Sequence, residues 1–202
     1  MNLLVIRRIE YAILGLFSLC FIYYAFQALI IGDTFRFIYV LIPSLALSLL
    51  PVVFEYAMKV RFPPGFKSLF SLALLVHVAG GISRFYWKFA PFYDKIAHVC
   101  SALALFLLII SVFAVLDYEG TTIRWQTVLV STIVLVTILM IAWEISEYVI
   151  DMIATTSYNN GIVDSIGDVI ANIIGIIIGF FIIRYYRTLI PAGKNLGYIL
   201  TL

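Results

Sequence analysis

The sequence predicts an all-α, polytopic transmembrane helical bundle of about six helices, formed by a single domain over residues 1–202. The chain is 64% hydrophobic and only 12% charged, whereas about a quarter of the residues in a soluble domain are charged. Its uncharged runs are long enough to cross a hydrocarbon core of about 30 Å. The runs lack the strand-length alternation of a β-barrel, so helices must satisfy the backbone within the membrane.

Along the chain, six candidate helices are delimited by charged residues, prolines and glycines. They cover residues 11–31, 37–58, 68–83, 96–116, 125–150 and 162–183. The second carries Pro43 and Pro51 and is expected to be kinked. The third is short for a membrane span and contains His77. We expect it to span, with a partly re-entrant segment as the alternative.

Six crossings place both termini on one side of the membrane, and the basic residues predict which side. Of the 13 lysines and arginines, nine fall in segments on the side of the termini and four on the other side. Basic residues are in excess on the cytoplasmic side of membrane proteins, so both termini are predicted to be cytoplasmic and the protein to be a multi-pass protein of the cell membrane. The net charge of +2 argues against nucleic acid as a partner. Membrane lipids are the expected partners, and homo-oligomerisation is left open.

The predicted threading brings acidic side chains from the last three helices to the outer face of the membrane. These side chains, with one histidine and one asparagine, are Asp94, His98, Glu144, Glu147, Asp164, Asp168 and Asn172. Members on the same helix are three or four residues apart and therefore share a face. Carboxylates are costly within a membrane and normally face the interior of the bundle, so we expect one cluster between the helices.

The mutual repulsion of these carboxylates needs compensation, which protonation, pairing with a base or a bound divalent cation can supply. Oxygen ligands with one imidazole suit Mg²⁺, Mn²⁺, Ca²⁺ or Zn²⁺. The predicted metal ligands are Glu144, Glu147, Asp164, Asp168 and Asn172. His98 is predicted to be a ligand or general base, oriented by Asp94 one turn earlier. A structural alternative is that Asp94 and Asp164 are ordinary helix N-caps.

Three basic residues, Arg84, Lys88 and Lys95, flank an aromatic segment over residues 85–93 next to the acidic residues. Such a segment has the character of an interfacial stretch at headgroup depth. The three cations are predicted to bind the phosphate of a lipid or isoprenoid substrate. An aromatic belt with snorkelling lysines is the alternative.

Three motifs in the C-terminal half carry a family resemblance. They cover residues 92–98, 143–148 and 164–175 and read FYDKIAH, WEISEY and DSIGDVIANIIG. With these motifs the sequence resembles the YjdF-like inner-membrane proteins and, more distantly, the VanZ-like family, which is associated with resistance to a glycopeptide antibiotic. The resemblance implies a membrane location and the importance of the acidic residues, without naming a substrate.

The sequence supports three functional hypotheses. The first is a metal-dependent hydrolase or transferase that acts on lipid or polyprenyl phosphate headgroups by means of metal-activated water, since no serine or cysteine lies in a recognisable catalytic signature. The second is a cation-coupled or proton-coupled transporter. The third is a non-catalytic membrane scaffold whose acids and bases form ion pairs.

Overall fold

The computed structural model describes residues 3–154 and 161–201, and within these residues all regular structure is helical. The helices are α1 (Leu3–Ile30), α2 (Thr34–Arg36), α3 (Ile42–Met58), α4 (Phe66–Ile82), α5 (Phe85–Lys88), α6 (Phe92–Tyr118), α7 (Trp125–Ala154) and α8 (Ile162–Thr188). In this part of the chain five segments are long and apolar enough to cross a membrane, and α4 is a shorter apolar helix. The predicted all-α bundle is confirmed.

Several helices extend beyond the predicted ranges because charged residues near their ends are accommodated within the helix. Helix α1 begins at Leu3 rather than at residue 11, since Arg7 is buried beside the Phe62 carbonyl and Glu10 is buried against Lys67 of α4. Helix α8 continues to Thr188 rather than ending at residue 183. The guanidinium of Arg187 lies 4.7 Å from the centre of the Trp125 ring, which keeps this cation at the helix end.

The second crossing contains an irregular turn. A π-helical turn, Phe37–Leu41, joins α2 to α3, so that residues Thr34–Met58 form one apolar segment. Pro43 lies in the first turn of α3, where a proline needs no hydrogen-bond partner. Pro51 lies inside the helix. The irregularity therefore precedes the first proline.

Helix α4 runs beside α1 over nearly the whole depth of the bundle. The backbone N–H of Lys67, at the start of α4, donates to Glu10 Oε1 at 2.9 Å. At the other end, the Ser83 hydroxyl donates to Gln27 Oε1 at 3.2 Å. Since Glu10 and Gln27 lie towards opposite ends of α1, α4 runs along the bundle and does not turn back within it; that it spans the membrane stays a prediction.

The described contacts place the N-terminal part of α1 and the C-terminal segment at the same end of the bundle. Arg7 Nη1 lies 3.5 Å from the Phe62 carbonyl oxygen, and the neighbouring Arg61 N–H donates to the Leu200 carbonyl at 2.9 Å. Leu200 belongs to a 3₁₀ helix, Leu196–Thr201. We call this end of the bundle the terminal end; its cytoplasmic location remains a prediction.

Helix α6 is the central element, packed against α4, α7, α8 and the 3₁₀ helix. Its buried residues Ala102, Phe106 and Ile110 form the core together with Ile183 of α8. Many large apolar side chains on the outer faces of α1, α7 and α8 are exposed, including Leu19, Ile138 and Ile177. An outer surface of this kind is stable in lipid but not in water.

Candidate functional site

Three helices meet at the end of the bundle opposite the terminal end and bring the predicted polar residues together. We call the group the acidic cluster. It consists of Asp94, Lys95 and His98 from α6, Glu144 and Glu147 from α7, and Asp164, Asp168 and Asn172 from α8. Residues that the sequence placed on one face of each helix thus share one site.

His98 lies at the centre of the acidic cluster and is 3% exposed. Its Nε2 atom lies 3.4 Å from Asp168 Oδ1 and 3.7 Å from Asp94 Oδ1. Its Nδ1 atom lies 3.3 Å from Asn172 Oδ1 and 3.7 Å from Glu144 Oε1. The two ring nitrogens therefore face two different sets of oxygen atoms.

Lys95 is the counter-ion of the aspartates in the acidic cluster. Its Nζ atom lies 2.5 Å from Asp164 Oδ1, 2.6 Å from Asp168 Oδ1 and 3.3 Å from Asp94 Oδ2. A glycine makes this reach across α8 feasible, because a Cβ atom at Gly167 would lie 2.9 Å from Lys95 Cε. Sequence analysis missed the role of Gly167, which only the path of the lysine side chain defines.

Asp94 and Asp164 are not helix N-caps in this structure. The N-cap of α6 is Pro91 and that of α8 is Gly161, and neither residue makes a side-chain capping bond. Both aspartates instead lie in the first turn of their helices. A carboxylate there interacts favourably with the helix dipole, which offsets part of the cost of its burial.

The acidic cluster contains buried polar atoms without hydrogen-bond partners among the described residues. Both carboxylate oxygens of Glu144 and the Nδ2 atom of Asn172 are of this kind, although Ser165 lies close to Glu144. The Glu147 carboxylate does have a hydrogen-bond donor, because Trp143 Nε1 donates to its Oε1 atom at 2.8 Å. Buried polar atoms are normally paired, so Glu144 and Asn172 depart from the usual pattern on this side of His98.

Two groups of three residues have ligand atoms close enough to share a cation. One group is Asp94, His98 and Asp168, and the other is His98, Glu144 and Glu147; within each group the ligand atoms lie within 4.8 Å of one another. A zinc ion with ligands at about 2.0–2.2 Å needs ligand atoms at most about 4.4 Å apart. Small side-chain adjustments would therefore suffice in either group.

Arg84 and Lys88 lie apart from the acidic cluster, with which neither forms an ion pair among the described residues. Lys88 Nζ lies 5.8 Å from the centre of the Phe85 ring. The charge of Arg84 acts on Asp33. Burial raises the pKa of Asp33, but hydrogen bonds from Arg36 and the charges of both arginines outweigh burial and leave this pKa lowered. Of the three predicted phosphate-binding cations, only Lys95 joins the acidic cluster.

A second buried network, at the terminal end, was missed by sequence analysis. Lys67 is fully buried, with its Nζ atom 2.8 Å from Glu55 Oε1 and 3.2 Å from Glu10 Oε2. The Phe62 N–H also donates to Glu55 Oε1, at 2.6 Å. The only signal in the sequence was a glutamate near the end of an apolar run, which did not reveal its partner.

Comparison with protein families identifies the chain at the level of a family. A family described as "Predicted membrane protein (DUF2238)" matches residues 9–188. The chain belongs to this family. The match includes all three motifs and confirms an integral, multi-pass membrane protein of a family without an assigned function, whereas the YjdF-like and VanZ-like names stay predictions. No curated protein and no solved structure matches the chain.

Proposed function

We propose that the acidic cluster is a divalent-cation site, and that the protein is a hydrolase or transferase of the cell membrane acting on lipid or polyprenyl phosphate headgroups. The observation that carries the proposal is the position of His98, whose two ring nitrogens face carboxylates from three helices. Carboxylate and histidine side chains on facing helices are the usual means by which helical bundles hold metal ions.

The contacts of His98 favour one assignment of ligands. Histidines that bind metals commonly donate their other ring N–H to a carboxylate. His98 fits this pattern if Nδ1 binds the cation together with Glu144 and Glu147, while Nε2–H faces Asp168 at 3.4 Å. Asn172 Oδ1, 3.3 Å from Nδ1, is a further candidate ligand. In this arrangement Asp168 orients the histidine, and Lys95 holds Asp168 in place.

The charges of the acidic cluster support a cation more than a set of ion pairs. Its five carboxylates face a single lysine, so four negative charges are unbalanced when all the acids are ionised and His98 is neutral. The lysine contacts the three aspartates, and neither glutamate pairs with it among the described residues. Buried charges are normally paired or bound to metals, and a cation held by the two partly buried glutamates would supply such a partner.

A bound cation would polarise a phosphoryl oxygen or activate a water molecule. The residues of the chain would position the substrate beside it. Arg84 and Lys88 lie near the same end of the bundle and are exposed, so they are available to a lipid phosphate at the membrane surface. Lys95 is engaged by aspartates and would serve the site as a counter-ion.

The core of the bundle favours chemistry at one face over transport through the protein. Between the acidic cluster and the terminal end, α6 buries Leu103, Phe106, Leu107 and Ile110, and the one buried hydroxyl on this stretch of α6, that of Ser111, is engaged by the Leu107 carbonyl. The four apolar side chains offer no polar atoms along which an ion could cross. Transport remains the main alternative that the experiment must distinguish.

The test uses the full chain purified in detergent and stripped with a chelator. Thermal unfolding is measured with Mg²⁺, Mn²⁺, Ca²⁺ or Zn²⁺, and bound metal is quantified by elemental analysis. A cation at about 100 times its Kd should stabilise the fold by about 2.7 kcal/mol. Glu144→Gln should abolish this stabilisation, while Glu119→Gln, an exposed acid beyond the other end of α6, should retain it.

Absence of both bound metal and cation-dependent stabilisation in the wild type would overturn the cation site. Bound metal that crosses the membrane of reconstituted vesicles would instead favour a transporter. Bound metal without transport would justify assays with lipid phosphates and polyprenyl phosphates.

A further inference from the structure

Three hydrogen-bonded side chains lie beside the acidic cluster without belonging to it. His77 Nε2 of α4 lies 2.7 Å from the Ser101 hydroxyl of α6. On the other side of the ring, His77 Nδ1 lies 2.6 Å from the Tyr86 hydroxyl. Hydroxyl, imidazole and a second hydroxyl therefore form one continuous chain of hydrogen bonds.

Packing fixes the position of the His77 imidazole between its two hydrogen-bond partners. Tyr86 lies directly on Gly80, where an added Cβ atom would lie 2.3 Å from its ring. The Trp143 ring of α7 lies 6.0 Å from the His77 ring, centre to centre. Ser101, His77 and Tyr86 are each partly exposed as whole residues.

We infer that Ser101 is a catalytic nucleophile, that His77 is its general base, and that the pair acts on a carboxylic ester of a phospholipid. A neutral imidazole carries one proton, and with this proton on Nδ1 the Nε2 atom accepts a hydrogen bond from Ser101. That arrangement, with the ring oriented by a third group, activates a serine hydroxyl for acyl transfer. Tyr86 is the positioning residue, because its oxygen then accepts from Nδ1.

The choice of a phospholipid ester rests on the proposed function, because a cation bound by the acidic cluster would hold the phosphate. Ser101 follows His98 by three residues, so their Cβ atoms lie about 5–6 Å apart on one face of α6. Ser101 is also deeper in the bundle than His98, since α6 begins at Phe92 at this end. In a glycerophospholipid the ester carbonyls lie on the tail side of the phosphate, which matches this order.

The reaction is a two-step transfer of the acyl group. Ser101 Oγ forms a bond to the ester carbonyl carbon as its proton passes to His77 Nε2. The bond between that carbon and the glycerol oxygen then breaks, and the glycerol oxygen takes the proton from His77. A water molecule then forms a bond to the acyl carbon as one of its protons passes to His77 Nε2. The bond between that carbon and Ser101 Oγ breaks, Oγ takes the proton from His77, and the acyl group leaves as a fatty acid.

The test is the reaction of the full detergent-purified chain with hexadecyl fluorophosphonate, which forms a serine–phosphorus bond and releases fluoride. Intact-mass measurement should show one adduct per chain, and peptide mapping should place it on Ser101. His77→Gln should slow the reaction by about 10²–10⁴-fold. Tyr86→Phe keeps the ring on Gly80, so it should lower the maximal labelling rate without changing the probe concentration at half-maximal rate.

Ser111→Ala is the matched control, because this serine lies on the same helix and its hydroxyl donates to the Leu107 carbonyl at 2.7 Å. This variant should react like the wild type, and Ser101→Ala should not react. If a wild type with a cooperative unfolding transition gives no adduct, or gives it at another residue, the inference is wrong. Mapping on the wild type decides the matter even if a variant fails to fold.

This experiment distinguishes failure of the cation site from failure of the serine nucleophile. Fluorophosphonate reacts with an activated serine without a cation, so labelling is measured on chelated protein and cation binding on the same preparation. Labelled Ser101 without cation binding would refute the cation site and leave the nucleophile. Cation binding without labelling would refute the nucleophile and leave the cation site.

Discussion

A close approach of α6 and α8 predicts the effect of one added methyl group. At Gly175 of α8, a Cβ atom would lie 2.5 Å from the Val99 carbonyl oxygen and 2.9 Å from Ala102 Cβ of α6. The first of these atoms belongs to the backbone and cannot rotate away. Gly175→Ala therefore requires α6 and α8 to separate.

The size of the effect follows from a comparison with Gly15→Ala in α1, where nothing lies within 4 Å of the added atom. Both substitutions gain about 1 kcal/mol of helix propensity, and overpacking costs about 1–3 kcal/mol only at Gly175. The free energy of unfolding should therefore be about 1–3 kcal/mol lower for Gly175→Ala than for Gly15→Ala, as measured by denaturant titration in detergent micelles.

The same substitution should weaken the proposed cation site. The spacing of α6 and α8 sets the 3.4 Å distance between His98 and Asp168, so separation of the helices should lower cation affinity in the thermal-shift titration. Equal stability of Gly175→Ala and Gly15→Ala would refute the close helix contact itself.

Three further predictions concern the buried lysine, the aspartate next to His98 and the membrane topology. Lys67→Met should leave two buried carboxylates without their counter-ion and destabilise the bundle by about 3–5 kcal/mol. As the control, Lys59→Met at an exposed position should change stability by less than about 0.5 kcal/mol. Similar thermal unfolding of both variants would contradict the buried network. Asp168→Asn should lower cation affinity about 10–100-fold if this residue orients His98, and an unchanged titration would remove it from the site. A reporter active only in the cytoplasm, fused to the C-terminus, should be active in cells, and activity only of a periplasmic reporter would reverse the predicted topology.

Much of the fold was predictable because a membrane restricts the backbone to few structures. Hydrocarbon supplies no hydrogen bonds to the chain, so long apolar runs must form helices. The number of crossings then determines which helix ends share a face. For this reason His98, Asp168 and Glu144 could be placed together before any tertiary contact was known.

The extent of the helices was less predictable, because the sequence does not show which charges are paired. Glu10 and Lys67 were treated as residues beyond the ends of predicted helices. Both are instead buried at the terminal end, with Lys67 fully inaccessible. A charge ends a membrane helix only when water must solvate it, and a partner 57 positions away in the chain removes that need.

The sequence by itself determined that this protein is a helical membrane bundle with acids from three helices near one face. Tertiary structure alone decided that Lys95 pairs with three aspartates and that the His77 ring meets Ser101. The physical reason is the distance along the chain over which each kind of contact is determined. Helical periodicity fixes neighbours three or four residues apart, whereas contacts between helices depend on how closely their backbones approach, which here is set by glycines such as Gly175.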